Sequence, residues 1–463
     1  DDSSRPLRKI RKGLWLVMKN LNPAVVIKAE DTYYLYPKNK RNNAKLVKLD
    51  NVGYLFYKKM VECSTKEEVI AEICKKFNVV TKNEKEIIEE DFQVFEKKLA
   101  DVDIVIDERF KQTNNKKEKG DISEKKYIDE LVKVQRIYFK KKIPFKYFVE
   151  LTYNCNLRCE HCYRGEDINS DRKFMKKEVV FLLLDEMEQM GAVEVTFTGG
   201  ECFTHPDILA ILEYAARKNL IITVLTNGNF IREEILEHLK KISIFEIRIS
   251  IYGMQEKHDS MTGVQGSWQK SVNALIRLQQ EMQNATAVFV VTQDNIEESD
   301  KVLSFFKERG INVSLNTMIT PTARGNLKPT QMRISISQYE ELMRKNKLPI
   351  TGSRCTAGIS RIRISPNGDV IPCELISNHI FGNVNKQSLQ EIIAGKERIK
   401  FNQEYENMLS KHVCTTKCPN RELCNFCPAL SLIENNSFMK PVNYVCEMTR
   451  VKTRLLNERE REA

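Results

Sequence analysis

One stretch constrains this chain more than any other: Thr152-Tyr153-Asn154-Cys155-Asn156-Leu157-Arg158-Cys159-Glu160-His161-Cys162-Tyr163, three cysteines spaced by three residues and then by two. It stands directly behind an apolar, strand-like run from Phe145 to Leu151. Thiols set this close in one loop gather a metal centre. A tetrahedral zinc knuckle needs four ligands, and His161 is the nearest fourth, awkwardly placed between two of the cysteines. A [4Fe-4S] cubane also takes four cysteines as a rule, so three of them leave one iron able to bind something other than protein.

Cysteine usage elsewhere agrees with metal chemistry. Of thirteen cysteines, ten fall into two groups and only Cys63, Cys74 and Cys202 stand apart. A chain with no apolar signal core and no run of eighteen apolar residues gives no indication of secretion or of a membrane span, so the cytoplasm is the expected place and disulfides are not expected. At 463 residues it is long enough for about three domains. A net charge of +11, dense in the first fifty residues, offers a basic surface to nucleic acid or to an acidic peptide.

The first hundred residues read as three short strands, Ala24 to Glu30, Tyr33 to Tyr36 and Ala44 to Leu49, followed by helices at Val52 to Cys63, Lys66 to Phe77 and Glu84 to Leu99 and a last strand at Asp103 to Ile106. Ser64 is the expected cap of the second helix, with Glu67 at the return position of a capping box. Cys63 and Cys74 lie on apolar helical faces and read as core residues. The pattern is winged-helix-like, which by itself allows DNA binding. Residues 110–143 change character to a charged linker ending in an exposed helix.

From Phe145 onward strand and helix alternate. Strands are expected at Phe145 to Leu151, Val193 to Phe197, Ile221 to Leu225, Phe245 to Ile251, Thr286 to Val291 and Val313 to Thr317, with the helical faces Val180/Leu183/Leu184/Met187 and Ile208/Ile211/Leu212/Ala215 between them. Six strand-helix units imply parallel strands in a partial (β/α)6 barrel, whose chemistry collects at the carboxyl ends of the strands. The cysteine loop follows the first strand. Gly199-Gly200-Glu201 follows the second: glycines admit close backbone approach and a carboxylate there can receive an ammonium. Thr226-Asn227-Gly228 ends the third strand and Ser250 stands near the end of the fourth. His258 reads as a loop hydrogen-bonder, and Cys202 as a small apolar residue in a packed turn, with hydrogen-atom donation the rival role.

The second cysteine group comprises Cys355, Cys373, Cys414, Cys418, Cys424, Cys427 and Cys446. Ser360 to Glu374, with Pro366-Asn367-Gly368-Asp369 at its centre, reads as a hairpin that holds Cys373 at the end of its second strand. Alone, this arrangement also suits a zinc ribbon.

Cys155, Cys159 and Cys162, with Gly199-Gly200-Glu201, Asn227 and Ser250 at successive strand ends, resemble the radical S-adenosylmethionine (SAM) superfamily. The resemblance implies that the three cysteines hold a catalytic [4Fe-4S] cluster whose open iron chelates SAM and cleaves it to a 5′-deoxyadenosyl radical. Gly199, Gly200, Glu201, Asn227 and Ser250 would then contact SAM. The C-terminal cysteines resemble the SPASM domain, which implies two auxiliary [4Fe-4S] clusters, the first on Cys355, Cys373 and Cys427 and the second on Cys414, Cys418, Cys424 and Cys446. Spacing departs slightly: three residues separate Cys414 from Cys418, and two separate Cys424 from Cys427, the reverse of the common pattern. Two cubanes want eight thiolates and seven are present, so one iron of the first auxiliary cluster has room for a substrate thiol.

Leu49-Asp50-Asn51-Val52-Gly53 and the order of elements over residues 15 to 108 resemble the peptide-recognition domain typified by the pyrroloquinoline-quinone chaperone. The full layout implied is a recognition domain at 1–109, a linker at 110–143, a radical SAM partial barrel at 144–345 and a SPASM domain at 346–463. The resemblance implies a maturase of the sactipeptide or ranthipeptide type. It would capture a ribosomal precursor peptide by its leader, take electrons from flavodoxin or ferredoxin, and form sulfur-to-carbon thioethers, with no nucleic-acid or membrane partner. The alternatives are another radical outcome on a peptide and, from a different class, a zinc-binding winged-helix regulator.

Overall fold

Alternation of apolar and polar residues makes the first element an antiparallel sheet. The computed structural model describes residues 24–30, 32–38, 46–63, 65–79, 81–100, 121–170 and 173–462. Within it β1 (Ala24–Ala29) pairs with β2 (Thr32–Pro37), and β2 with β3 (Val47–Leu49). Val25, Ile27 and Ala29 point inward in strict alternation. Three helices follow: α1 (Asn51–Glu62), α2 (Lys66–Lys76) and α3 (Lys82–Ala100). Leu55, Phe56, Ile70, Ile73, Phe92 and Leu99 form the core with Leu35 and Val47, and Cys63 and Cys74 pack against it, as their helical faces predict. Each large side chain fully buried there contributes roughly 1.5–3 kcal/mol.

Helix caps explain where these helices begin. Asp50 accepts the Gly53 N–H at 2.7 Å to start α1. Thr65, rather than Ser64, starts α2: its backbone is extended and its hydroxyl accepts the Glu68 N–H at 3.1 Å, one residue later than the sequence pattern places the cap. Ser64, the strand expected at 103–106 and the linker segment 110–120 lie outside the described residues. α4 (Asp121–Lys141) is the expected charged helix, although Val134 and Tyr138 on it are buried.

The second sheet has nine strands in the order β12-β11-β10-β4-β5-β6-β7-β8-β9. Its central six are β4 (Lys146–Glu150), β5 (Glu194–Thr198), β6 (Ile221–Thr226), β7 (Glu246–Ile251), β8 (Ala285–Val290) and β9 (Asn312–Asn316), within a residue or two of the expected bounds. They lie side by side in chain order, as right-handed strand-helix units require. Between them run α5 (Lys177–Gln189), α6 (Ile208–Ala216), α7 (Glu233–Leu239), α8 (Gln255–Thr262), α9 (Ser267–Met282) and α10 (Ser299–Lys307). The predicted faces of α5 and α6 are the buried ones.

The remaining strands come from the cysteine-rich region. β10 (Arg361–Ile364) and β11 (Asp369–Ile371) form the expected hairpin, and β12 (Gly382–Asn383) pairs with β11. β10 then pairs in parallel with β4, Arg361 opposite Lys146 and Ile364 opposite Val149. The described residues divide into two compact units near residue 140, and the hairpin and the central strands share one sheet in the second. α11 (Ile336–Lys345), α12 (Leu389–Ala394), α13 (Lys396–Lys411), α14 (Val413–Thr416), α15 (Pro428–Asn435) and α16 (Asn443–Glu462) complete this unit. No described helix is long and apolar enough to cross a membrane.

Candidate active site

The cysteine loop leaves β4 and is held by its neighbours' backbone. Gly200 N–H donates to the Thr152 carbonyl at 2.8 Å and Glu201 N–H to the Asn154 carbonyl at 2.7 Å. This approach demands glycine: Gly199 has φ +146°, and a Cβ there would sit 2.3 Å from the Thr152 oxygen. Asn169 brackets Cys155, accepting its N–H at 3.0 Å and donating to its carbonyl at 3.1 Å. The end of α8 steadies the other side, where the Thr262 carbonyl accepts the Arg158 N–H at 2.8 Å.

Cys155, Cys159 and Cys162 all line a cavity of about 570 Å³ at the carboxyl ends of the strands, together with Gly199, Gly200, Asn227 and Ser250. Burial pushes the Cys159 thiol up to about 12 and the Cys155 thiol up to about 11, so these thiols hold their protons until a metal displaces them. Asn227 reaches the loop directly, its amide donating to Asn156 Oδ1 at 2.8 Å. Seven of the eight residues expected at this site therefore meet around one space.

Glu201 is the exception, standing off the cavity lining. Its carboxylate is fully buried, away from the cavity lining, and accepts the Phe203 N–H at 3.0 Å, the Thr226 hydroxyl at 2.7 Å and the Asn227 N–H at 2.7 Å. Glu201 thus ties the second strand end to the third and sets where Asn227 stands. Cys202 is also fully buried and off the cavity, its thiol donating to the Leu225 carbonyl at 3.4 Å. His258 is a buried hydrogen-bonder whose Nδ1 accepts the Tyr252 N–H at 3.3 Å.

The sequence reading missed a buried ionic cluster beside the cavity. Glu150, the last residue of β4, is fully buried and accepts from Arg164, Tyr163 and Arg363. Arg363 also donates to Glu374 at 3.3 Å, and both Arg363 and Glu374 line the cavity. Burial opposes the charge on Glu374, yet Arg363 and Arg361 hold its carboxyl at about 2. The available signal was a charged residue inside otherwise apolar strands, Glu150 in Lys-Tyr-Phe-Val-Glu and Arg363 in Arg-Ile-Arg-Ile.

The C-terminal cysteines fall into two neighbourhoods. Cys427 is pushed up to about 12 by burial and then by the nearby Cys355 and Cys373 thiols. Cys414 is pushed up to about 12 by burial and then by Cys446, Cys424 and Cys418. Cys427 also lines one small cavity with Cys414, Cys424 and Cys446. Among the described residues no group of His, Cys, Asp and Glu is gathered tightly enough to hold a single metal ion. A cubane takes its thiolates on separate irons rather than on one ion.

Residues 149–306 match the Radical SAM superfamily, and residues 355–428 match the SPASM iron-sulfur cluster-binding domain. The chain carries a radical SAM domain and a SPASM domain. The radical SAM match contains the cysteine loop and the strand ends that carry Gly199, Gly200, Glu201, Asn227 and Ser250, and the SPASM match contains six of the seven C-terminal cysteines, all but Cys446. The match to an iron-sulfur domain displaces the zinc readings. Among curated relatives, the antilisterial bacteriocin subtilosin biosynthesis protein AlbA of Bacillus subtilis (strain 168) is 28% identical over 321 residues, 65% of this chain and 70% of AlbA. The mycofactocin maturase MftC of Mycobacterium ulcerans (strain Agy99) is 28% identical over 262 residues, 51% of this chain and 70% of MftC. Streptococcus suis SuiB, solved with its precursor peptide SuiA, superposes with a TM-score of 0.58 over 91% of this chain and 97% of SuiB at 16% identity, a likeness of fold.

Proposed function

We propose that this protein is a radical SAM maturase that installs thioether crosslinks in a ribosomally made precursor peptide in the cytoplasm. The observation that carries the reading is a single cavity lined both by Cys155, Cys159 and Cys162 and by Glu374, the residue directly after Cys373. A peptide segment lying there reaches from the site of hydrogen abstraction to the first auxiliary set. The names of AlbA, MftC and the SuiB–SuiA complex, all tied to peptide products or peptide substrates, support a peptide as the substrate class.

Cys155, Cys159 and Cys162 would hold the SAM-binding [4Fe-4S] cluster, Cys355, Cys373 and Cys427 the first auxiliary cluster, and Cys414, Cys418, Cys424 and Cys446 the second. When bound, these groups supply the one-electron chemistry that activates SAM, an acceptor for a second electron and an open iron for a thiol. The chain's own contribution is positional: Gly199 and Gly200 admit a ligand against backbone, Asn227 and Ser250 offer polar contacts to SAM, and the apolar Val288, Val290 and Ile319 wall keeps water from the reacting carbon. The N-terminal unit would hold the leader, raising the local concentration of the core peptide, and flavodoxin or ferredoxin would supply electrons.

The test is anaerobic turnover of a cysteine-containing peptide encoded beside this protein's gene, read by intact mass and thiol alkylation. Each thioether removes one hydrogen from carbon and one from sulfur, so two hydrogens and one alkylatable thiol should disappear per bond. Two hydrogens lost with every thiol still alkylated means a carbon-carbon or ether crosslink instead. Unchanged mass with deuterium uptake from heavy water means epimerisation.

A further inference from the structure

Tyr252 follows β7 directly and is held more rigidly than its place in a loop requires. Its N–H donates to His258 Nδ1 at 3.3 Å, and its carbonyl accepts from Asn295 Nδ2 at 3.0 Å. The ring lies between the imidazoles of His161 and His258, with centroids 4.7 and 5.3 Å away, and packs on Met261, Val290 and Ile319. Only 6% of the residue is exposed. All of this aims one polar atom, the phenol oxygen, at the cysteine loop, where it lies 4.0 Å from Cys159 Sγ, within hydrogen-bond reach for sulfur. Ser250, at the end of the same strand, lines the same cavity.

With a free thiol, Cys159 S–H donates to the phenol oxygen. Metal ligation removes that proton and leaves an acceptor-only thiolate, so the phenol must reverse its role and donate. Hydrogen bonds to ligand sulfurs withdraw charge from the metal and help set the reduction potential of an iron-sulfur cluster. We propose that Tyr252 is a tuning residue: its O–H donates to the Cys159 thiolate and raises the reduction potential of the cluster there. The inference rests on Cys159 being a cluster ligand. It makes the cluster easier for a donor to charge with one electron.

The experiment compares wild type with Tyr252→Phe, which keeps the ring and removes only the hydroxyl. Both proteins are reconstituted with iron and sulfide and titrated by electron paramagnetic resonance; the signal that changes on adding SAM marks the relevant cluster. The expected result is a midpoint shifted to more negative potential in Tyr252→Phe at unchanged iron content, and an Fe–S(Cys) Raman stretch that responds to heavy water in wild type but not in the variant. Incorporation of 3,5-difluorotyrosine at 252, a stronger donor, should shift the midpoint the opposite way. Equal potentials in all three proteins overturn the inference while leaving the cluster assignment intact. A wild-type protein with no SAM-responsive cluster overturns both, and a folded Tyr252→Phe that fails to load this cluster shows an assembly role and overturns the tuning one.

Discussion

Arg363, on the C-terminal hairpin, donates to Glu150, at the end of the first barrel strand, over 2.6 Å and 213 residues of sequence. The same nitrogen meets the Tyr163 hydroxyl at 2.6 Å, one residue past the last cysteine of the loop. Burial disfavours the Glu150 charge, yet Arg363 and Arg164 outweigh it and keep its carboxyl below the usual range. The contact locks the SPASM hairpin to the strand that launches the cysteine loop. Replacing Glu150 with Gln removes the carboxylate that Arg164 and Arg363 share and leaves Arg363 only Glu374, and losing one partner of a buried pair costs about 3–5 kcal/mol. Urea unfolding of Glu150→Gln should show that loss, and a change below about 1 kcal/mol would place the network outside the stability of the fold.

Cysteine replacements separate the three proposed clusters. Cys155→Ala, Cys159→Ala and Cys162→Ala should each abolish SAM cleavage and lower iron by about four of roughly twelve atoms per chain. Cys446→Ala should also lower iron, but keep SAM cleavage while losing peptide product. Iron assay and chromatography of 5′-deoxyadenosine read both outcomes.

The position of Glu201 splits two roles that the motif merges. Glu201→Gln weakens hydrogen bonds to a charged acceptor and should destabilise the fold by about 1.5–3 kcal/mol. Asn227→Ala, facing the cavity, should instead weaken SAM binding about tenfold, the equivalent of one hydrogen bond. Unfolding and equilibrium dialysis of both variants test the split, and equal loss of SAM affinity with unchanged stability in Glu201→Gln would favour the ammonium contact.

Gly199→Ala places a methyl group against the Thr152 carbonyl at a backbone angle that side chains rarely adopt. Backbone strain of about 1–3 kcal/mol, added to the clash, should displace the cysteine loop. Lower unfolding midpoints together with poorer cluster loading are expected, whereas Gly191→Ala, at φ +74° but with open space around its Cβ, adds backbone strain without the clash and should leave loading unchanged.

Glu374 predicts an acid limit. Burial opposes its charge, but Arg363 and Arg361 bring its carboxyl from 4.5 down to about 2 in the folded chain. A depressed folded value stabilises above the unfolded one, so this contribution is complete above pH 4.5 and lost as pH falls toward 2. Urea midpoints of the cluster-free chain should therefore fall across that window in wild type and fall less steeply in Glu374→Gln.

Local features were legible from the start. Cysteine spacing within one loop, the faces of α5 and α6, and the polar residues at strand ends depend on residues a few positions apart, and periodicity or chemical type alone exposes them. The cap of α2 slipped by one residue because Ser64 and Thr65 are chemically alike, and only backbone angles choose between them. Tertiary structure decided what lies between distant segments. It turned Glu201 inward, because three donors converge on it from Phe203, Thr226 and Asn227. It joined β10 to β4, aimed the Tyr252 phenol at Cys159, and brought Arg363 to Glu150. A buried charge or hydroxyl must find its partner wherever the packed chain brings one, and no spacing along the sequence records that meeting.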